Sequence, residues 1–190
     1  MKKRVLIIIL LLVGCSKKKT LFENISPKKS NVYFSNDIIE REGFNILENE
    51  FVYNGGGIGI GDFNNDGLQD LYFTGNMVDN SLYLNKGDFK FVDVSKIANV
   101  KAENRWSSGV AVVDINNDGL LDIYSCATML KEPEKRKNLL YLNKGTNAEG
   151  VPIFEEVAKA YGLDDDSHTT NAAFFDADND GDLDLFLAVN

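Results

Sequence analysis

Asp62-Phe63-Asn64-Asn65-Asp66-Gly67-Leu68-Gln69-Asp70 is a nine-residue acidic stretch that the chain uses three times. It returns as Asp114-Ile115-Asn116-Asn117-Asp118-Gly119-Leu120-Leu121-Asp122 and as Asp176-Ala177-Asp178-Asn179-Asp180-Gly181-Asp182-Leu183-Asp184, at spacings of 52 and 62 residues. A repeat of this period marks units that stack or assemble radially, so it governs how everything around it is read. Each copy lies between two short apolar runs: Gly57 to Gly61 and Leu71 to Phe73, then Gly109 to Val113 and Ile123 to Ala127, then Asn171 to Phe175 and Leu185 to Val189. These runs are rich in β-branched and aromatic residues and are bounded by Gly and Asn, which predicts strand, loop, strand.

The loop has the donor set of a hard cation. Oxygens at positions one, three, five and nine, with a backbone carbonyl at position seven, can surround Ca²⁺, while Gly at position six permits the tight turn. Mg²⁺ suits the pattern less well, because it holds to an octahedron and keeps its waters. An Asp-Gly hairpin turn would account for Asp66-Gly67 and its two counterparts. It would not account for the acids at positions one and nine, whose mutual repulsion needs a cation between them. An EF-hand requires a bidentate Glu at position twelve, where this chain has Phe73, Ser125 and Leu187, and its flanks are helices rather than strands.

Outside the loops the repeat continues. Asn80-Ser81-Leu82-Tyr83-Leu84-Asn85-Lys86-Gly87 matches Asn138-Leu139-Leu140-Tyr141-Leu142-Asn143-Lys144-Gly145, a strand ending in a tight turn. Phe91-Val92-Asp93-Val94-Ser95 then matches Phe154-Glu155-Glu156-Val157-Ala158, a fourth short strand. Four strands in a unit of roughly 50 to 60 residues is the arithmetic of a β-propeller blade. The expected class is all-β, with repeat one at 54–105, repeat two at 106–167 and repeat three at 168–190, the last stopping after its second strand. Phe22-Glu23-Asn24-Ile25-Ser26, followed by Asn31-Val32, copies Phe91 to Ser95 followed by Asn99-Val100. Residues 21–53 are therefore expected to hold an outer strand that closes the last blade of a ring, then a linker. Fewer than four blades do not close a ring, so the 190 residues read as the N-terminal portion of a larger propeller or as a truncated gene product.

These loops inside four-stranded repeats, together with Tyr53-Asn54-Gly55-Gly56-Gly57 and the Asn80 to Gly87 strand, resemble the FG-GAP/VCBS repeats of bacterial lipoproteins related to cartilage acidic protein, the family associated with ASPIC/UnbV domains. The resemblance covers about residues 21–190. It implies a seven-bladed propeller with calcium in the loop joining the first two strands of a blade. The implied ligands are Asp62, Asn64, Asp66, the Leu68 carbonyl and Asp70; Asp114, Asn116, Asp118, the Leu120 carbonyl and Asp122; and Asp176, Asp178, Asp180, Asp182 and Asp184. Three calcium sites are thus expected in this chain.

The first fourteen residues read as an address. Met1 to Arg4 is basic, Val5 to Val13 is apolar but too short for a permanent span, and Leu12-Val13-Gly14-Cys15 is similar to a bacterial lipobox. Cleavage before Cys15 and its acylation would leave residues 15–20 as a basic tether against anionic headgroups. Loss of Lys2, Lys3 and Arg4 takes the formal charge from −9 to −12. With no basic stripe to displace counterions, nucleic acid is excluded as a partner. Cys126 sits in an apolar run and reads as a small buried hydrophobe.

The expected function is a membrane-anchored, calcium-rigidified scaffold that binds a glycan or a protein partner. Its location would be the cell envelope, most simply the outer membrane, with the facing side left open. Trp106 and His168 occupy the same place in repeats two and three, eight residues before the first loop Asp, and are candidate contact residues or blade-packing residues. A calcium-dependent lyase acting on acidic polysaccharides is the alternative, as is an accessory lipoprotein of an uptake complex. The chain has one histidine and no nucleophilic constellation or zinc spacing, so no catalytic residue is assigned.

Overall fold

The computed structural model describes residues 20–190, so the leader, Cys15 and the lysines after it lie outside the described residues. Among the described residues the chain forms two four-stranded antiparallel sheets and a two-stranded hairpin. The first sheet consists of β1 (Ile58–Gly61), β2 (Asp70–Phe73), β3 (Ser81–Asn85) and β4 (Phe91–Asp93) in sequence order. The second repeats the order with β5 (Ser107–Val113), β6 (Asp122–Ala127), β7 (Leu139–Thr146) and β8 (Pro152–Glu156). The hairpin is β9 (Thr169–Phe175) with β10 (Asp184–Val189). Each acidic loop joins the first two strands of its unit. The arrangement is a partial propeller and forms no closed ring.

Strand periodicity explains why the sheets stack face to face. In the first sheet Tyr72 pairs with both Gly59 and Leu82; in the second the equivalent Tyr124 pairs with Ala111 and Leu140. Tyr72, Leu82 and Leu84 face the second sheet and meet Ile123, Leu139 and Tyr141 in one core. Residues of opposite parity on that sheet, Tyr124, Cys126 and Leu140, face the hairpin and meet Phe174, Leu185 and Leu187 in a second core. Because β6 is covered on both faces, all six of its residues are buried. Each fully buried large side chain contributes about 1.5–3 kcal/mol of transfer free energy.

Two devices bring neighbouring units together. Glycine lines the first strands: a Cβ on Gly59 would stand 2.9 Å from Val112 Cγ2, and one on Gly109 would stand 2.6 Å from the Thr170 carbonyl oxygen and 2.8 Å from Asn171 Cα. A polar network then fixes orientation. Asn80 Nδ2 donates to the Tyr72 hydroxyl at 2.8 Å and to Ser125 Oγ at 3.3 Å across the unit boundary, and the Tyr72 hydroxyl donates to the Val100 carbonyl at 2.7 Å. The second unit reproduces this, with Asn138 Nδ2 donating to Thr169 Oγ1 at 3.1 Å and the Tyr124 hydroxyl donating to the Leu163 carbonyl at 2.8 Å. Every member is satisfied, which a buried polar network requires.

Short helical turns follow the outer strands. After α1 (Pro27–Ser30), α2 (Ser95–Ala98) and α4 (Ala158–Tyr161), the chain leaves through a left-handed residue, Asn31, Asn99 or Gly162; α3 (Pro133–Arg136) lies in the β6–β7 connection. The repeat suspected in residues 22–32 is thus present in its helical turn. Phe22–Ser26 forms no ladder among the described residues, none of which belongs to the last blade that it is expected to close. No neighbouring strand pairs with it, and Phe22 is exposed where its counterparts Phe91 and Phe154 are buried. Further along, Phe34 stacks on Phe73 at 4.9 Å and Asn36 exchanges two hydrogen bonds with Asn76, so this segment lies against the open face of the first sheet. Among the described residues no helix is long and apolar enough to cross a membrane.

The glycine contacts predict an inverted propensity effect. Gly109→Ala would stabilise an isolated strand, but here the new methyl meets backbone atoms that cannot retreat. Urea denaturation should show a loss of about 1–3 kcal/mol, whereas an unchanged midpoint would mean that β5 and β9 are not in this contact.

Candidate metal centre

The loops are built from their own backbone amides. In the first, the Asp66 and Gly67 N–H groups donate to the two oxygens of Asp62 at 3.0 and 2.7 Å, and the Leu68 N–H donates to Asp66 Oδ1 at 2.9 Å. The second loop repeats these bonds at 3.0, 2.8 and 2.9 Å with Asp114 and Asp118, and the third at 3.2, 3.1 and 3.1 Å with Asp176 and Asp180. Position four is left-handed in all three, with φ of 55, 56 and 64° at Asn65, Asn117 and Asn179, and position six is a positive-φ glycine. Asn tolerates that conformation and Gly adopts it freely, so these two residue types are what the turn demands.

Position nine is different in kind. Asp70 and Asp122 are completely buried. Asp70 Oδ2 accepts the Phe63 N–H at 3.0 Å and Oδ1 accepts the Asn85 N–H at 2.8 Å, joining loop, second strand and third strand at one carboxylate. Asp122 does the same with Ile115 and Asn143 at 2.9 and 2.7 Å. Asp184 accepts the Ala177 N–H at 2.9 Å and is exposed.

Asn85 and Asn143, in sequence only the residues where a strand meets its turn, also back the loops. Asn85 Nδ2 donates to the Gln69 carbonyl at 2.9 Å, and Asn143 Nδ2 donates to the Leu121 carbonyl at 3.1 Å and the Phe63 carbonyl at 2.9 Å. The signal in the sequence is the recurrence of Asn-Lys-Gly, at the end of β3 and within β7.

In the third loop, single oxygens of Asp176, Asp178 and Asp184 all lie within 4.8 Å of one another. Positions one, three and nine therefore converge, as a cation site requires. In the first two loops position three is Asn64 or Asn116, whose side-chain oxygen is a neutral donor of the same reach. No Lys or Arg among the described residues pairs with a loop carboxylate. The converging charge is thus not neutralised from within the chain, and the oxygen-only donor set fits a hard divalent ion.

Comparison with known proteins agrees with this architecture. A family model described as FG-GAP-like repeat matches residues 62–125, from the first position of loop one into β6. The chain carries an FG-GAP-like repeat. It is similar to cartilage acidic protein 1 of Xenopus tropicalis, 32% identical over 137 residues, 71% of this chain and 20% of that protein. Cartilage acidic protein 1 of Homo sapiens is 29% identical over the same length, 71% of this chain and 19% of that protein. The chain spans about a fifth of the length of the curated relatives it matches.

At the opposite ends of the first strands a cavity of about 490 Å³ opens between the units, lined by Phe51, Asn54, Trp106, Thr128 and Asn171 among others and by no charged side chain. Trp106 is buried and packs on Phe44 at 5.3 Å, so it serves packing while one edge reaches the cavity. His168 is exposed and lines a neighbouring hollow with Glu48 and Phe51. Burial pushes the Cys126 thiol up to about 12, so it stays protonated and unreactive at neutral pH.

Burial pushes Asp70 up to about 6, against the two N–H donors that hold it down and with Asp66 and Asp62 adding to the rise. Asp122 is raised for the same leading reason. The metal-free folded chain therefore holds this proton more tightly than the unfolded chain does. The resulting stability is full below the ordinary Asp range near 4 and is lost as pH rises through about 6. In chelator, the Asp70 carboxyl carbon should titrate by NMR with a midpoint near 6; a midpoint near 4 would contradict the burial argument.

Proposed function

We propose that this FG-GAP chain is a calcium-binding scaffold of the cell envelope, tethered by an acylated Cys15, whose strand-start face binds a glycan or protein partner. The observation that carries the calcium reading is the convergence of Asp176, Asp178 and Asp184 in a loop that recurs three times. Asp62, Asn64, Asp66 and Asp70 would hold the ion in loop one and Asp114, Asn116, Asp118 and Asp122 in loop two. Asp180 and Asp182 would join the converging carboxylates in loop three, and the position-seven carbonyls of Leu68, Leu120 and Asp182 would complete the sets. Bound calcium would neutralise repulsion among these groups and rigidify the hairpins that hold the sheets in register.

The partner reading rests on the geometry of the other end. The cavity beside Phe51 and Trp106 combines aromatic edges with amide and hydroxyl groups and lacks charge, a chemistry suited to the apolar faces and hydroxyls of a neutral sugar. The anchor reading rests on the lipobox-like Leu12 to Cys15 and the basic residues around it.

A ligand that binds only the folded state raises its stability by mass action. Adding calcium to chelator-treated protein should therefore raise the melting temperature by several degrees, and Asp66→Ala or Asp118→Ala should each diminish that rise. Melting curves that do not respond to calcium would refute the calcium reading. For the anchor, Cys15→Ser should move the protein from the detergent-soluble membrane fraction to the aqueous fraction. Retention of the variant in the membrane would rule out acylation as the tether.

A further inference from the structure

Loop one is not held by its own unit alone. Three side-chain amides cross from one repeat to the next: Asn143 Nδ2 donates to the Phe63 carbonyl at 2.9 Å, Asn65 Nδ2 to the Gly119 carbonyl at 3.2 Å, and Asn64 Nδ2 to the Gly150 carbonyl at 3.3 Å. Phe63 occupies position two of loop one, and its ring meets Phe154 of the second sheet at 6.2 Å. Gly119 is position six of loop two, the residue whose N–H closes that loop on Asp114.

Asn143 stands at the centre of this set. Its backbone N–H holds Asp122, position nine of loop two, while its side chain reaches position eight of loop two and position two of loop one. The Phe63 N–H in turn holds Asp70, position nine of loop one. A path of hydrogen bonds linked through covalent backbone therefore runs from the Asp70 carboxylate through the N–H and C=O of Phe63, then through the side-chain amide and backbone N–H of Asn143, to the Asp122 carboxylate. Asn143 is itself buried, so its amide has no water to exchange these partners for.

We propose that Asn143 and Asn65 are positioning residues that couple the first two loops, so that calcium in loop two raises the calcium affinity of loop one, and the reverse. The inference rests on the calcium reading. Its physical basis is ordering: an ion in loop two fixes Asp122 and the Gly119 carbonyl, which fixes the Asn143 and Asn65 amides, so loop one loses less conformational freedom when its own ion binds. Coupling of this kind is reciprocal. Neither residue ligates the ion; each acts through the loop backbone.

The glycine amides at position six allow the test to be read site by site. In ¹⁵N-labelled protein titrated with calcium, Gly67 reports loop one and Gly119 loop two. Disabling loop two with Asp118→Ala should raise the Gly67 midpoint about fivefold or more. In an Asn65→Gly background, which keeps the left-handed backbone and removes one of the two bridging amides, the same substitution should move that midpoint by a smaller factor than in the otherwise unaltered protein. Asn143→Ala alone should weaken loop one about tenfold, with Asn65→Gly carrying the cycle if the buried substitution unfolds the protein. A Gly67 midpoint indifferent to Asp118→Ala in the otherwise unaltered protein would overturn the coupling while leaving calcium binding standing. If neither glycine amide responds up to about 10 mM calcium, beyond the weakest known protein modules, the calcium reading fails and the coupling fails with it.

Discussion

A carboxylate taken out of water must be met by donors or neutralised, and the fold turns on how Asp70 and Asp122 meet that demand. Each is wholly buried, and each has both oxygens occupied by backbone N–H groups from different segments. One donor belongs to the loop and the other to the end of the third strand. The side chain therefore sets the loop's width, the register of the second and third strands, and the distance between loop and sheet. Moving any of the three would leave a buried charge short of a donor, an imbalance of about 1–3 kcal/mol or more. The other carboxylates are arranged around that fixed point, with Asp66 and Asp118 exposed and Asp62 and Asp114 half-buried at the rim.

The two ends of each first strand consequently have different characters. At the loop end the chain concentrates negative charge that no Lys or Arg among the described residues neutralises, and that repulsion works against the bare fold. At the other end glycine, amide and hydroxyl groups produce an uncharged hollow. Between them the strands approach closely enough that glycine is required at Gly59 and Gly109. Rigid close packing between two chemically unlike ends suits a scaffold that presents one face while being secured at the other.

Much of this was legible in the sequence because repetition separates signal from accident. Position-one and position-nine acids in three copies implied converging carboxylates, and the loop three geometry has that form. Four short strands per unit were readable from period-two apolar residues and turn residues, and the two complete sheets have that order. Less readable were contacts between residues far apart in the chain. Asn85 and Asn143 looked like turn residues because their own hairpin gives them a sufficient reason to be Asn; their second partners lie 16 and 80 residues away. The N-terminal copy lacks a ladder for a related reason: the partners expected for it belong to a last blade outside these 190 residues. Phe22 to Ser26 carries the pattern of an outer strand, but a strand exists only where another offers its ladder, and local pattern cannot supply that neighbour.

Trp106 is the chain's one tryptophan, and its position gives the molecule a built-in optical probe. It is clamped between the start of β5 and Phe44 of the N-terminal segment, whereas loop two begins where the seven-residue β5 ends, about 23 Å away. Its fluorescence therefore reports docking of residues 36–53 and is blind to events at the carboxylates by proximity alone. Any emission change that accompanies ion binding would have travelled the length of a strand, which makes the indole a gauge of how stiffly one end of the blade is joined to the other.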